Sequence, residues 1–330
     1  MNILLAALWA ILFTVIGVIV HELGHLVCGL LSGYRFSMFR LGPLAWFKEN
    51  GRIRFSVTQN LFAGQCLMAP VEEIKNFKFV LYNAGGSIFN FLLCVPFVLL
   101  GWQANLTIIL VNFTLGFLNL LPIRYLTNDG ANIREALKSK EATRGLYLMF
   151  YTNAKMMEGM RYRDFDKDLF ALPENADLEN YMVAHILLQE ASRLEDNKQI
   201  KEALNMYSRI DLAAMPPIYK NLIMAEILYY HSFLIPSHDA ARELCRDKKF
   251  QKFMKCGLPS ITRILAAYAF FVKGDKKMAS DLLAKAKAGA GKLPGKGQRM
   301  MEHDFLNELE ESFTKELTQT QDFAQTKEEN

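Results

Sequence analysis

Charge is missing from two long stretches of this 330-residue chain. None falls between Ile3 and Val20, where Thr14 is the one distinctly polar residue, and none falls between Phe79 and Ile123. The first stretch is about long enough to cross a bilayer core. The second is too long for one span and breaks at Gly101-Trp102-Gln103-Ala104-Asn105. Cysteine is also sparse: the five are scattered without a CxxC pair, and Cys245 and Cys256 stand too far apart for a zinc knuckle. That excludes a disulfide framework and fits free thiols in a reducing compartment. A basic leader and a small-residue cleavage site are lacking too, so the N-terminal stretch reads as a retained span and not a signal peptide. The net charge of +4 does not call for nucleic acid.

Directly after the first uncharged stretch, within the same apolar segment, stands His21-Glu22-Leu23-Gly24-His25. Residues four apart share a helical face, so both imidazoles can grip one metal ion. Glu22, one step round the helix, can reach a metal-bound water as general base. Zn2+ with two His and one carboxylate leaves a fourth position for that water. The chemistry suggested is hydrolysis of an amide bond. Ionisable groups at membrane depth are costly and by default functional. The helix is expected over 2–31, which places the motif near one membrane face.

The next segment, 34–60, is aromatic and β-branched on either side of Asn50-Gly51, a hairpin signal. It reads as a peripheral hairpin or as an edge strand, about 52–58, that receives an extended substrate by strand addition. Two further apolar helices follow, the first with Asn83, Gly85, Gly86, Ser87 and Asn90, the second ending in Asn119-Leu120-Leu121-Pro122. Basic residues crowd the loop between the first two spans: Arg35, Arg40, Lys48, Arg52, Arg54, Lys75 and Lys78. The positive-inside rule puts that loop, the His pair and everything after Arg124 on the cytoplasmic side. The end of the third helix then delivers Asp129 to the depth of the histidines. Asp129 is the candidate third ligand; its other reading is a turn residue or the N-cap of the following helix.

Taken together, HELGH, the hairpin, NAGGSIFN, and NLLP followed by Asp129-Gly130 resemble the site-2 protease family of intramembrane zinc metalloproteases. The resemblance covers about residues 1–135. It implies that His21, His25 and Asp129 ligate zinc, that Glu22 is the catalytic acid/base, and that Asn119 steadies the oxyanion or holds substrate. It implies as substrate a membrane-embedded or membrane-associated peptide, which must unwind locally before water attacks. One departure stands out: Pro122 and Asp129 are seven residues apart, where the family spacing is about five.

The rest of the chain is polar and reads as helices. The expected architecture is mostly α: a 1–130 core of three transmembrane helices with a small β-hairpin or sheet, a 131–177 helical connector, a 178–317 helical-repeat domain on the cytoplasmic side, and a disordered polar tail from Thr318. Helix pairs turn near Asn197, Asp239 and Asp275, at intervals of about 42 and 36 residues. That is close to the tetratricopeptide period of about 34, and such solenoids offer a groove for a partner protein or peptide. The Gly/Lys stretch GAGKLPGKG at 289–297 fails the phosphate-loop spacing and reads as a loop between helices. His185, His231, His238 and His303 show no paired spacing. A second functional class also fits the sequence: a proteolytically inactive, membrane-tethered scaffold that works through its repeats.

Overall fold

The computed structural model describes residues 3–57, 64–71, 73–103, 105–123 and 126–328. Helix α1 runs Ile3–Leu31 as one uninterrupted rod. A sheet follows, built of β1 (Arg35–Leu41), β2 (Leu44–Glu49), β3 (Arg52–Val57) and β4 (Gly64–Ala69). Its spatial order is β3-β2-β1-β4, all antiparallel. The expected turn is present: Asn50 and Gly51 both have positive φ, as a two-residue hairpin loop requires. The run before it, expected as one stretch, folds back at Gly42-Pro43 into two strands.

Two apolar helices come next, α2 (Phe79–Leu99) and α3 (Leu106–Leu120). They pack on each other and on α1. Outer faces of these helices expose Leu8, Ile11, Val15, Leu92, Val95, Leu110 and Phe113, while Asn83, Ser87, Asn90 and Asn112 are buried between them. Apolar outside and amide inside is the arrangement a lipid solvent favours. Two segments are long and apolar enough to cross a membrane, Ala7–Leu31 and Ile74–Leu99. The expectation of three spanning helices is corrected here. Helix α3 has 15 residues, roughly 22 Å at the α-helical rise, short of a bilayer core of about 30 Å. Pro122 biases the chain before it away from helix, so the uncharged run outlasts the helix it contains.

The polar half is mostly helical: α4 (Asp129–Ala136), α5 (Lys140–Glu158), α6 (Tyr181–Asp196), α7 (Ile200–Ser208), α8 (Pro217–Tyr229), α9 (His238–Leu244), α10 (Lys248–Phe253), α11 (Pro259–Ala267), α12 (Lys276–Ala290) and α13 (Lys296–Glu328). Helix α6 packs on α7, α8 on α9, and α11 on α12, as the turns near Asn197, Asp239 and Asp275 predict. The paired helices differ in length, from seven residues in α9 to 16 in α6, so pairing is evident and a uniform repeat is not. Helix α13 continues to Glu328, past the point where the polar composition predicts a disordered tail. Its Glu, Gln and Lys residues have good helix propensity and extend a helix already anchored by Leu306, Leu309 and Phe313.

The 131–177 segment is central and not a linker. Helix α5 packs on β4 and β2 on one side and on α6 on the other. One continuous core joins Tyr34, Met68, Phe77 and Tyr82 to Leu146, Phe150, Met182 and Ile186. Farther along, Arg299 of α13 pairs with Glu49 of β2, tying the last helix to the sheet.

Candidate functional site

The site forms where α1 and α2 touch. Gly24 and Gly85 face each other so closely that a Cβ on Gly24 would lie 2.3 Å from the Gly85 carbonyl oxygen. That close approach brings the α2 backbone and Asn90 up to the two imidazoles. His21 and His25 are both buried, as four-residue spacing on one face predicts.

The hydrogen bonds fix both rings. His25 Nδ1 lies 2.8 Å from the Tyr82 carbonyl oxygen, which only accepts, so Nδ1 carries the proton. His21 Nδ1 lies 2.7 Å from Asn90 Oδ1. The Asn90 amide is oriented in turn, because its Nδ2 donates to the Gly17 carbonyl at 2.9 Å and to Asn112 Oδ1 at 3.1 Å. Neutral imidazoles protonated at Nδ1 present bare lone pairs at Nε2.

These lone pairs converge on one point with a carboxylate. The two Nε2 atoms are 3.2 Å apart, and Asp129 Oδ2 lies 3.2 Å from one and 3.3 Å from the other. Three acceptors cannot satisfy one another, and a shared cation can. The spacing suits zinc: a tetrahedron with ligands at about 2.0 Å has edges of about 3.3 Å. Among the described residues, His21, His25 and Asp129 form the one cluster of this kind. Asp129 is the first residue of α4, and the capping bond comes from its neighbour: Asn128 Oδ1 accepts from the Ala131 N–H at 2.9 Å. The cap reading of Asp129 therefore gives way, and its carboxylate turns to the histidines.

Glu22 is buried beside them and accepts a hydrogen bond from the Cys66 N–H of β4. Gly64 on the same strand leaves room for it, since a Cβ there would lie 2.3 Å from Glu22 Oε1. The Tyr82 hydroxyl donates to the Cys66 carbonyl, so both backbone groups of Cys66 on the outer edge of β4 are engaged by side chains of the site. Burial, with the Glu22 charge adding to it, pushes the Cys66 thiol up to about 12 and keeps it protonated. The strand beside the metal cluster is thus β4. The expected substrate edge at 52–58 is β3, on the opposite side of the sheet.

A cavity of about 330 Å³ opens onto these groups. Helix α5 contributes Met149, Phe150 and Asn153 to its wall, and Asn119, Asn128 and Asn132 add amides. Asn119 lines this space, but its Nδ2 donates to the Leu115 carbonyl at 3.0 Å within its own helix. His185, His231, His238 and His303 lie in or beside the helices of the polar half, outside this cavity.

Sequence reasoning missed four contributors: the Asn90–Asn112 relay, the Tyr82 carbonyl, Gly86 and β4. Gly86 is decisive sterically, because a Cβ there would lie 2.5 Å from the His21 ring. A signal for it existed in the Gly-rich stretch of α2, which marks close approach without naming what approaches.

Residues 9–108 match the model of peptidase family M50, the site-2 protease family. This stretch, about 30% of the chain, is similar to peptidase family M50. The M50 match spans most of α1, the sheet, α2 and the start of α3, and so contains His21, Glu22, His25 and Asn90. It ends before Asn119 and Asp129, whose place at the site rests on the geometry above. No curated protein and no solved structure matches the chain.

Proposed function

We propose that the protein is an intramembrane zinc endopeptidase acting on membrane-embedded or membrane-associated peptides. One observation carries this reading: two Nδ1-protonated histidines and Asp129 converge their acceptor atoms at 3.2–3.3 Å, with Glu22 beside them in one cavity. His21, His25 and Asp129 hold the ion. Zinc, when bound, supplies a Lewis acid that makes water a nucleophile near neutral pH. Glu22 takes the proton from the attacking water and returns it to the leaving nitrogen. The Asn90 amide and the Tyr82 carbonyl keep each imidazole in the tautomer that ligates, a hydrogen-bonded support that ligating histidines generally need.

A substrate helix has its carbonyls shielded and must be unwound before attack. Strand β4 is the outer strand next to Glu22, and its edge on either side of Cys66 is where the unwound segment pairs as an added strand. Asn119 is positioned in the cavity to hold substrate or the developing oxyanion once its amide turns from Leu115. The basic residues between the two spans support a site near the cytoplasmic face. The helical pairs, in this reading a tetratricopeptide-like unit, recruit a partner protein or peptide there.

The test compares wild type with Glu22→Gln by membrane proteomics of matched cells. The expected result is an uncut membrane peptide accumulating in the variant, while both purified proteins carry about one zinc per chain. Equal processing by both would leave the alternative, a tethered scaffold without proteolytic activity.

A further inference from the structure

A second cavity, of about 140 Å³, lies between the sheet and the polar half. Its wall includes Met38, Arg40 and Gln65 from the sheet and Leu258, Lys292 and Pro294 from loops flanking α11 and α12. No carboxylate lines it among the described residues, while two cations do. Gln65 is common to this cavity and to the one that holds the histidines, so a single residue of β4 separates them.

Arg40 is the unusual group. Its Nη2 donates to Gln65 Oε1 at 3.2 Å, which fixes the guanidinium. Its Nη1 is buried and has no hydrogen-bond partner. A buried orphaned donor on this half-buried cation is costly unless something else completes it. The Gly/Lys loop at 289–297, which the metal site leaves without a role, brings Lys292 to the same space.

We propose that this cavity binds an acidic side chain of the substrate peptide, with Arg40 as the specificity-determining residue. The inference rests on the endopeptidase reading. A peptide paired along β4 passes Gln65, and an extended strand sends alternate side chains to opposite faces of the sheet. One of those faces carries Arg40. A carboxylate there completes Arg40 Nη1, gains the field of Lys292, and lies among Met38, Leu258 and Pro294, where low polarity strengthens the pairing.

The experiment uses zinc-loaded Glu22→Gln protein in detergent, which holds peptide without cutting it. Fluorescently labelled apolar peptides carry a single Asp at successive positions, and an Asn series serves as control. Anisotropy is expected to show one position where Asp binds about tenfold tighter than Asn, the size of one charge-assisted hydrogen bond. Adding Arg40→Gln is expected to erase that ratio, Arg40→Lys to keep part of it, and Arg40→Glu to favour a Lys-bearing peptide instead. Should Arg40→Gln not fold, Lys292→Gln at the exposed loop decides, with an expected fall in the ratio of roughly twofold. Equal affinity for acid and amide peptides at every position overturns the proposal. So does an Asp preference that survives both Arg40→Gln and Lys292→Gln. Binding is read apart from cleavage, so these outcomes are separate from the failure of Glu22→Gln to alter processing.

Discussion

At the scale of single residues, the cluster of His21, His25 and Asp129 is governed by residues outside it. Asn90 accepts the His21 Nδ1 proton and is held by Gly17 and Asn112. Asn90→Ala is expected to lower zinc affinity about 10–100-fold, the usual cost of losing a ligand's outer partner. Competition against a chromophoric chelator measures it, and unchanged affinity would show that Asn90 does not orient the ring. Gly86→Ala should be more severe, because its methyl would occupy the His21 ring position. Zinc content after dialysis is expected to fall well below one per chain, while Gly291→Ala, whose Cβ meets nothing within 4 Å, serves as the neutral control. His21, Glu22, His25 and Asp129 were legible in the sequence because charge is conspicuous in an apolar run and four-residue spacing is local. Asn90 stood out only as one of the polar and small residues of an apolar helix. Its partner lies 69 positions away, and the pairing depends on how far α1 slides along α2, which no local pattern encodes.

At the scale of elements, the junction of α3 and α4 aims Asp129 at the histidines. A Cβ on Gly130 would lie 1.9 Å from the Leu120 carbonyl oxygen, so this residue packs directly against the end of α3. Gly130→Ala is expected to push α4 away, at a cost of about 1–3 kcal/mol, and to carry Asp129 from the histidines. Zinc affinity should drop by at least about tenfold. Retention of wild-type affinity by that variant would refute the account of how Asp129 is delivered. This tight packing also shows how a Pro122–Asp129 interval of seven residues still ends at the histidines. The helices were readable from hydropathy and the β2–β3 turn from Asn50-Gly51. Strand β4 was not: Gly-Gln-Cys-Leu-Met-Ala has neither alternation nor β-branched residues. It is a strand because β1 pairs with it and Met68 and Cys66 are buried, a tertiary effect that overrides propensity.

At the scale of the whole molecule, the polar half carries its own buried ionisable groups. Glu195 accepts hydrogen bonds from the Tyr207 and Tyr230 hydroxyls, yet burial, reinforced by nearby Glu226, pushes its carboxyl up to about 8. The folded protein therefore holds a proton that the unfolded chain releases near pH 4.5. Between those values folding takes up a proton, so stability falls as pH rises toward about 8. Burial acts oppositely on His185, pushing it down to about 4, so the folded state lacks a proton that the unfolded chain binds below about 6.5. Between about pH 4.5 and 6.5 this opposes the Glu195 effect, so the net decline with rising pH lies above about 6.5. Urea midpoints for the helical half are expected to decline from about pH 6.5 to about pH 8.5, and Glu195→Gln should flatten that limb. A wild-type midpoint that rises over the alkaline limb would contradict the assignment.

Helix α5 closes one wall of the chamber in which the imidazoles sit, through Met149, Phe150 and Asn153. The greasy anchor and the polar half are therefore joint owners of a single room. Severing the chain between α4 and α5 would unroof it, leaving Phe77, Tyr82 and Met68 bare and the histidines open to bulk solvent. A ligand gripping the distal helices has, through α5, a hand on the ceiling.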